Sequence, residues 1–245
     1  MVKIEHDERI DYLPNQKLKI IQSPTVFSFS MDAVLLAKFC YLPIQKGKVV
    51  DLCSGNGVIP LLISERSKAK IVGIEIQDRL YDMALRNVKL NNLEEQVHFF
   101  HEDIKSVVPK LEKGHFDVVT CNPPYFKTVT EKEWNENKHF AIARHEIYCS
   151  LEDVIRISSD LVKQKGKVAL VHRPERLIDI ISLMQKYQIE PKRIQFIHPK
   201  KEKEANILLI EGIKNGNSGV KILEPILVYN NEGTYTEHFK EIYFG

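Results

Sequence analysis

Between residues 48 and 121 the chain alternates four short, β-branched apolar runs with three stretches of helical period. The runs cover 48–53, 70–75, 97–101 and 116–121, and the helical stretches 58–67, 78–91 and 104–111. A strand that must lie parallel to its neighbour needs a crossover of a dozen or more residues, usually a helix. Repeated strand–helix units therefore dictate an α/β fold, a mostly parallel sheet with helices on both faces. The pattern continues through helix 151–163, strand 167–172 and helix 174–186. It ends differently. Runs 193–197 and 206–212 are joined only by Pro199-Lys200-Lys201-Glu202-Lys203-Glu204, which predicts one antiparallel strand. In such sheets ligands sit beyond the carboxyl ends of the strands, so the residues that follow each run carry the functional information.

After the first run, Val49-Val50-Asp51-Leu52-Cys53-Ser54-Gly55-Asn56-Gly57-Val58-Ile59-Pro60 reads as strand, tight turn and helix start. Gly55 and Gly57 permit positive φ and close backbone approach. The N–H groups of a helix beginning near Val58 favour an anionic ligand group at the turn. Pro60 is tolerable in a first helical turn. It also occupies the third glycine position of a dinucleotide fingerprint, so a pyrophosphate site is not specified. The second run ends in Glu75, about 20 residues on, where a carboxylate can bond a ribose diol. Asp103 follows the third run and either meets ligand or caps the next helix. After the fourth comes Asn122-Pro123-Pro124-Tyr125. Two prolines stiffen the backbone and remove two donors. The Asn122 side-chain oxygen and the Pro123 carbonyl remain as acceptors beside the Tyr125 ring. Two acceptors and a flat ring suit a planar target with an exocyclic NH2, adenine N6 above all.

In their order, Asp51 to Gly57, Glu75, Asp103 and Asn122 to Tyr125 resemble the motif series of class I S-adenosylmethionine-dependent methyltransferases, and within them the N-P-P-Y amino-methyltransferases. The resemblance implies a Rossmann-like fold with a seven-stranded, mostly parallel sheet and one antiparallel strand. It implies S-adenosylmethionine as cofactor, with Asp51, Ser54, Gly55, Gly57, Glu75, Ile76, Asp103 and Asn122 around it. Glu75 would hold the ribose hydroxyls, Ile76 would pack on the cofactor's adenine and Asp103 would accept from its amino group. Asn122, Pro123 and Tyr125 would be catalytic. More narrowly, Phe27-Ser28-Phe29-Ser30-Met31-Asp32-Ala33-Val34-Leu35-Leu36-Ala37, Ala143-Arg144-His145-Glu146, Asp11-Tyr12-Leu13 and Lys17-Leu18-Lys19-Ile20-Ile21-Gln22 are similar to bacterial tRNA adenine-N6 methyltransferases acting at adenine 37 beside the valine anticodon. That implies tRNA as partner, with Phe29, Lys127, Arg144 and His145 on the substrate side. Read physically, Ser30 or Asp32 caps a covering helix.

At 245 residues the chain suits one domain: a hairpin and covering helix over 1–47, a cofactor core over 48–212 and an extension over 213–245. A net charge of +2 neither demands nor excludes nucleic acid. Cys40, Cys53, Cys121 and Cys149 are scattered without metal spacing, which points to reduced thiols in a cytoplasmic protein and to no metal. Nothing reads as a signal peptide or membrane span. Residues 126–148 form a long, mixed-charge candidate substrate lip. Three other readings stay open. A release-factor glutamine methyltransferase would also present two amide hydrogens, but the residues before the first sheet strand look β-rich where that group carries a helical domain. A DNA adenine methyltransferase would need a target-recognition domain. A cofactor-binding regulator or RNA chaperone would have no use for two rigid acceptors.

Overall fold

The computed structural model describes residues 2–14, 16–26, 28–43, 45–125, 146 and 148–245. Lys127, Arg144 and His145 lie outside the described residues. The chain opens with an antiparallel hairpin, β1 (Arg9–Tyr12) and β2 (Lys19–Gln22), followed by α1 (Met31–Phe39). The core follows as β3 (Lys48–Leu52), α2 (Val58–Arg66), β4 (Lys70–Glu75), α3 (Asp78–Leu90), β5 (Val97–His101), α4 (Ile104–Leu111) and β6 (Phe116–Cys121). Beyond it come α5 (Leu151–Leu161), β7 (Val162–His172), α6 (Leu177–Lys186), β8 (Ile189–His198) and β9 (Ile207–Lys214). The tail adds two-residue strands β10 (Lys221–Ile222) and β11 (Ile226–Leu227), then α7 (Glu237–Phe244).

The long strands run in the order β8-β9-β7-β6-β3-β4-β5. Only β9 is antiparallel to its neighbours, β7 and β8. The expected seven-stranded, mostly parallel sheet is thus present, and β10 and β11 extend it by pairing with β8. Strand alternation divides the core between the two faces. Val49, Ile71, Val118, Ala169 and Leu209 pack under α1, α2 and α3. Val50, Ile74, Val119, Leu170 and Leu208 pack under α4, α5 and α6. Each fully buried Val, Leu or Ile contributes about 1.5–3 kcal/mol. Burial on both faces explains why these strands read as continuous apolar runs. Among the described residues no helix is long and apolar enough to cross a membrane.

Two features locate the ligand crevice. The chain lays down β3, β4 and β5 in one direction and then returns to set β6 on the other side of β3. The carboxyl ends of β3 and β6 are thereby neighbours, with Leu52 opposite Cys121, at the point where strand order reverses. The glycine turn and the Asn-Pro-Pro-Tyr segment, some 70 residues apart in sequence, leave the sheet side by side.

The hairpin is fastened over this end. Asn87 Oδ1 accepts from Ile21 N at 2.7 Å, while Asn87 Nδ2 donates to Asn56 O at 2.9 Å. Asn56 Nδ2 donates to Ile21 O at 3.1 Å. Below it, Arg86 pairs with a fully enclosed Glu8 carboxylate and Arg79 with Asp7, at 2.5 Å each.

Candidate active site

A cleft with about 1130 Å³ of empty space, its open mouth included, lies at the carboxyl ends of β3, β4 and β6. Its floor is the glycine turn and its two ends are Glu75 and Asn122–Tyr125. Phe29, Ser54, Gly55, Glu75, Ile76, Asp103, Asn122, Pro123 and Tyr125 all line it. Asp51 and Gly57 sit behind that lining.

The turn is held from within. Ser54 Oγ donates to Asp51 O at 2.8 Å and accepts from Ile74 N at 3.2 Å, while Ser54 N donates to Ile74 O. Gly57, at φ +91°, is the residue before α2, and a Cβ there would come within 2.9 Å of the Phe99 ring. Gly57 therefore serves close packing as well as the turn. Gly55 differs. Its φ is +56°, and a Cβ there would meet nothing within 4 Å. The space it leaves belongs to the cleft, as a backbone cradle for a ligand would require.

Glu75 is 5% exposed. Its Oε2 accepts from Gly55 N and its Oε1 from Gln77 N, both at 2.8 Å. Burial raises its carboxyl above the ordinary range, and these backbone donors pull the other way. Each carboxylate oxygen keeps a second lone pair free to accept from a ligand hydroxyl. Asp103 caps α4 through Lys105 N at 2.9 Å and still borders the cleft, so the capping and lining roles coexist. Asp51 is fully buried. Its Oδ1 accepts from Thr120 Oγ1 at 2.6 Å, and its Oδ2 has no partner. Burial pushes its carboxyl up to about 7.

The other end of the cleft has a different chemistry. Tyr125 Oη lies 2.6 Å from Asn122 Oδ1 and 2.7 Å from Asp32 Oδ2. The His172 ring packs against the Tyr125 ring at 5.0 Å between centroids, tilted by 46°. Burial, then the nearby Arg176 charge, lowers His172 to about 3, so the ring is neutral. Its Nδ1 accepts from Arg173 N at 2.8 Å. Tyr148 and Cys149 complete the wall.

Sequence reasoning offered Ser30 or Asp32 as the cap of α1. Ser30 occupies the cap position without a side-chain bond, and Asp32 is committed to Tyr125 instead. His172 was missed, although it ends β7, the strand beside β6. That position was the available signal. Asn56 and Asn87 were missed too, and the sign was a polar residue on the apolar face of α3. Glu146 bonds Arg176 Nη1 at 2.6 Å and Leu151 N at 3.2 Å, fixing the start of α5.

A family model described as the methyltransferase small domain matches residues 17–176. A protein of Photobacterium profundum named tRNA1(Val) (adenine(37)-N6)-methyltransferase is 25% identical over 213 residues, 86% of this chain and 87% of that protein. A protein of the same name from Flavobacterium johnsoniae is 20% identical over 234 residues, 93% of this chain and 97% of its own. Among solved structures, a predicted O-methyltransferase from Agrobacterium tumefaciens superposes with a TM-score of 0.69 at 22% identity, over 86% of this chain and 95% of that one. Geranyl diphosphate C-methyltransferase from Streptomyces coelicolor A3(2), solved with S-adenosyl-L-homocysteine, gives 0.55 at 12% identity over 74% of each chain. At these identities the two structures speak to the fold.

Proposed function

The chain belongs to the methyltransferase small domain family, and from that premise we propose that it moves a methyl group from S-adenosylmethionine to the N6 amine of adenine in tRNA, at position 37 of a valine tRNA. The observation that carries this reading is the placement of Asn122-Pro123-Pro124-Tyr125 in the same cleft as Gly55 and Glu75. A grip for an NH2 group and a cradle for a nucleoside open onto one volume. The relatives' names supply the substrate, and their alignments span more than four-fifths of both chains.

The residues present fit the cofactor. The Gly55 cradle accepts its amino-acid portion, and Glu75 accepts from its ribose hydroxyls. Ile76 packs on its adenine, with Asp103 beside that ring. Asp51, behind the turn, holds it in shape through Thr120 Oγ1 and the Asp51 carbonyl that Ser54 bonds. When bound, the cofactor supplies an activated methyl on a sulfonium, so the protein needs no strong general base. Its work is orientation and exclusion of water. Asn122 Oδ1 and the Pro123 carbonyl accept the two amine hydrogens and favour the pyramidal nitrogen whose lone pair can attack. Tyr125 stacks on the base, a contact worth about 1–3 kcal/mol. An unpaired anticodon-loop base leaves its stack more readily than one in a duplex. Phe29 lines the same cleft from the covering segment, and Lys127, Arg144 and His145 are proposed to meet RNA.

The test is transfer of labelled methyl from S-adenosylmethionine to an unmodified valine tRNA transcript, followed by nucleoside mass spectrometry. N6-methyladenosine is expected, and it should vanish when position 37 is changed to guanosine. Label appearing only in release factor or DNA would overturn the substrate assignment. Cofactor binding without transfer to any acceptor would overturn the enzymatic one.

A further inference from the structure

Three groups at the substrate end of the cleft share one proton. The Tyr125 phenol carries a single hydrogen, yet its oxygen is within hydrogen-bond distance of two acceptors, Asn122 Oδ1 at 2.6 Å and Asp32 Oδ2 at 2.7 Å. An ionised carboxylate has no hydrogen to offer, so with that anion present one of the two contacts sets two lone pairs against each other. A carboxamide resolves the conflict without moving any other atom. Its oxygen and nitrogen have nearly the same shape, and a half-turn of the group exchanges them. With the Asn122 amide turned, Nδ2 donates to Tyr125 Oη, Tyr125 donates to Asp32, and Asn122 Oδ1 faces away from the tyrosine hydroxyl. The phenol hydrogen and the amide hydrogen that faces it then each have an acceptor.

We propose that Asp32 is a positioning residue for methyl transfer: as the terminal acceptor of the Tyr125 hydroxyl, it sets the direction of the chain and makes Asn122 present oxygen, not nitrogen, to the target amine. The inference rests on the amino-methyltransferase reading above. Its geometry is independent of it, because Asp32 comes from the first turn of α1, 93 residues from Tyr125 in sequence. Without Asp32 the phenol has one acceptor left, Asn122 Oδ1. The amide would then hold that oxygen on the tyrosine and turn its NH2 toward an incoming NH2, donor against donor. The groups around Asp32 bear on its charge in both directions. Burial raises its carboxyl, while the tyrosine hydroxyl, its own backbone N–H and the Arg173 charge favour the anion. The tyrosine is braced on its other side by the neutral His172 ring, so the hydroxyl cannot easily swing elsewhere.

The experiment is a set of four variants assayed for kcat on the valine tRNA transcript, with S-adenosylmethionine affinity measured by calorimetry. Asp32→Ala is expected to lower kcat about tenfold while cofactor affinity stays within twofold. Asp32→Asn, whose amide oxygen still accepts from the phenol, is expected to recover most of the loss. The decisive comparison uses Tyr125→Phe. With no hydroxyl to direct, adding Asp32→Ala should change kcat by less than twofold. Wild-type kcat in Asp32→Ala would overturn the proposal, and so would a tenfold loss of equal size in the Tyr125→Phe background. The latter pattern would mean that Asp32 only supports α1. Failure of the underlying reading is distinct, since the wild-type protein itself would then transfer no methyl to the transcript.

Discussion

The two ends of the cleft are built on opposite plans. At the glycine turn donors and acceptors balance: Glu75 takes Gly55 N and Gln77 N, and Ser54 is bonded on both its hydroxyl and its backbone. The single orphan there, Asp51 Oδ2, lies behind the lining. At the Asn-Pro-Pro-Tyr corner an acceptor is left over: with the phenol hydrogen on Asp32 and the Asn122 amide turned, Asn122 Oδ1 has no donor of its own. A cofactor that is the same at every turnover can be met by a finished surface. A substrate amine that brings two hydrogens of its own must be met by lone pairs left waiting.

The comparison breaks most visibly at Asn122. Replacing it with Ala should reduce methyl transfer by about a hundredfold or more, in the range seen when one preorganised polar group is removed from a reacting centre. Calorimetry should meanwhile show S-adenosylmethionine affinity within a few fold. A parallel collapse in cofactor binding would mean that the two ends are not separate. Glu75→Ala probes the opposite end. It deletes the proposed ribose acceptor and frees two backbone donors, so cofactor affinity should fall roughly 10- to 100-fold, about 1.4–2.8 kcal/mol. Unchanged affinity would refute the ribose assignment. Tyr125→Ala should cost most of a stacking contact, a roughly 5- to 150-fold loss in kcat/KM. Tyr125→Phe keeps the ring, so steady-state kinetics should show only a mild loss.

The smallest effect concerns stability rather than turnover. The Asp51 carboxyl is raised by burial to about 7 from an ordinary 3.8. The folded state therefore holds a proton that the unfolded chain has released between those values. Stability contributed by this group is complete below about 4 and is lost as pH rises towards 7. Asp51→Asn removes the titration. Its melting temperature relative to wild type should rise between pH 5 and pH 8 by several degrees, read by calorimetry without cofactor. A pH-independent difference would show that Asp51 is not strained in the free protein.

Much of this was legible in the sequence, for a physical reason. Parallel strands buried on both faces must be continuous apolar runs, so 48–53, 70–75, 97–101 and 116–121 announced themselves, and their ends carried Gly55, Glu75, Asp103 and Asn122 into the cleft. Boundaries were less legible where backbone geometry intervenes. β7 starts directly off α5 at Val162 rather than at Lys167, because Lys165 adopts φ +63° and the pairing with β6 shifts between Phe116 and Val118. β8 begins four residues earlier than its apolar pattern suggested, since its pairing with β9 carries it to Ile189. What stayed hidden was contact across long separations. No local pattern says that Asp32 reaches Tyr125, or that Asn87 bridges Ile21 and Asn56. Such bonds depend on how covering elements settle on a finished sheet.

That settling has a temporal side. Asp7, Glu8 and Ile21 are translated before Arg79, Arg86 and Asn87, yet they are held by them. On the ribosome the hairpin lacks these three partners until α3 has emerged, and closing a loop of that span is entropically slower than forming local turns. The hairpin is thus synthesised first and secured late, and nascent chains halted before residue 79 should leave it open to protease.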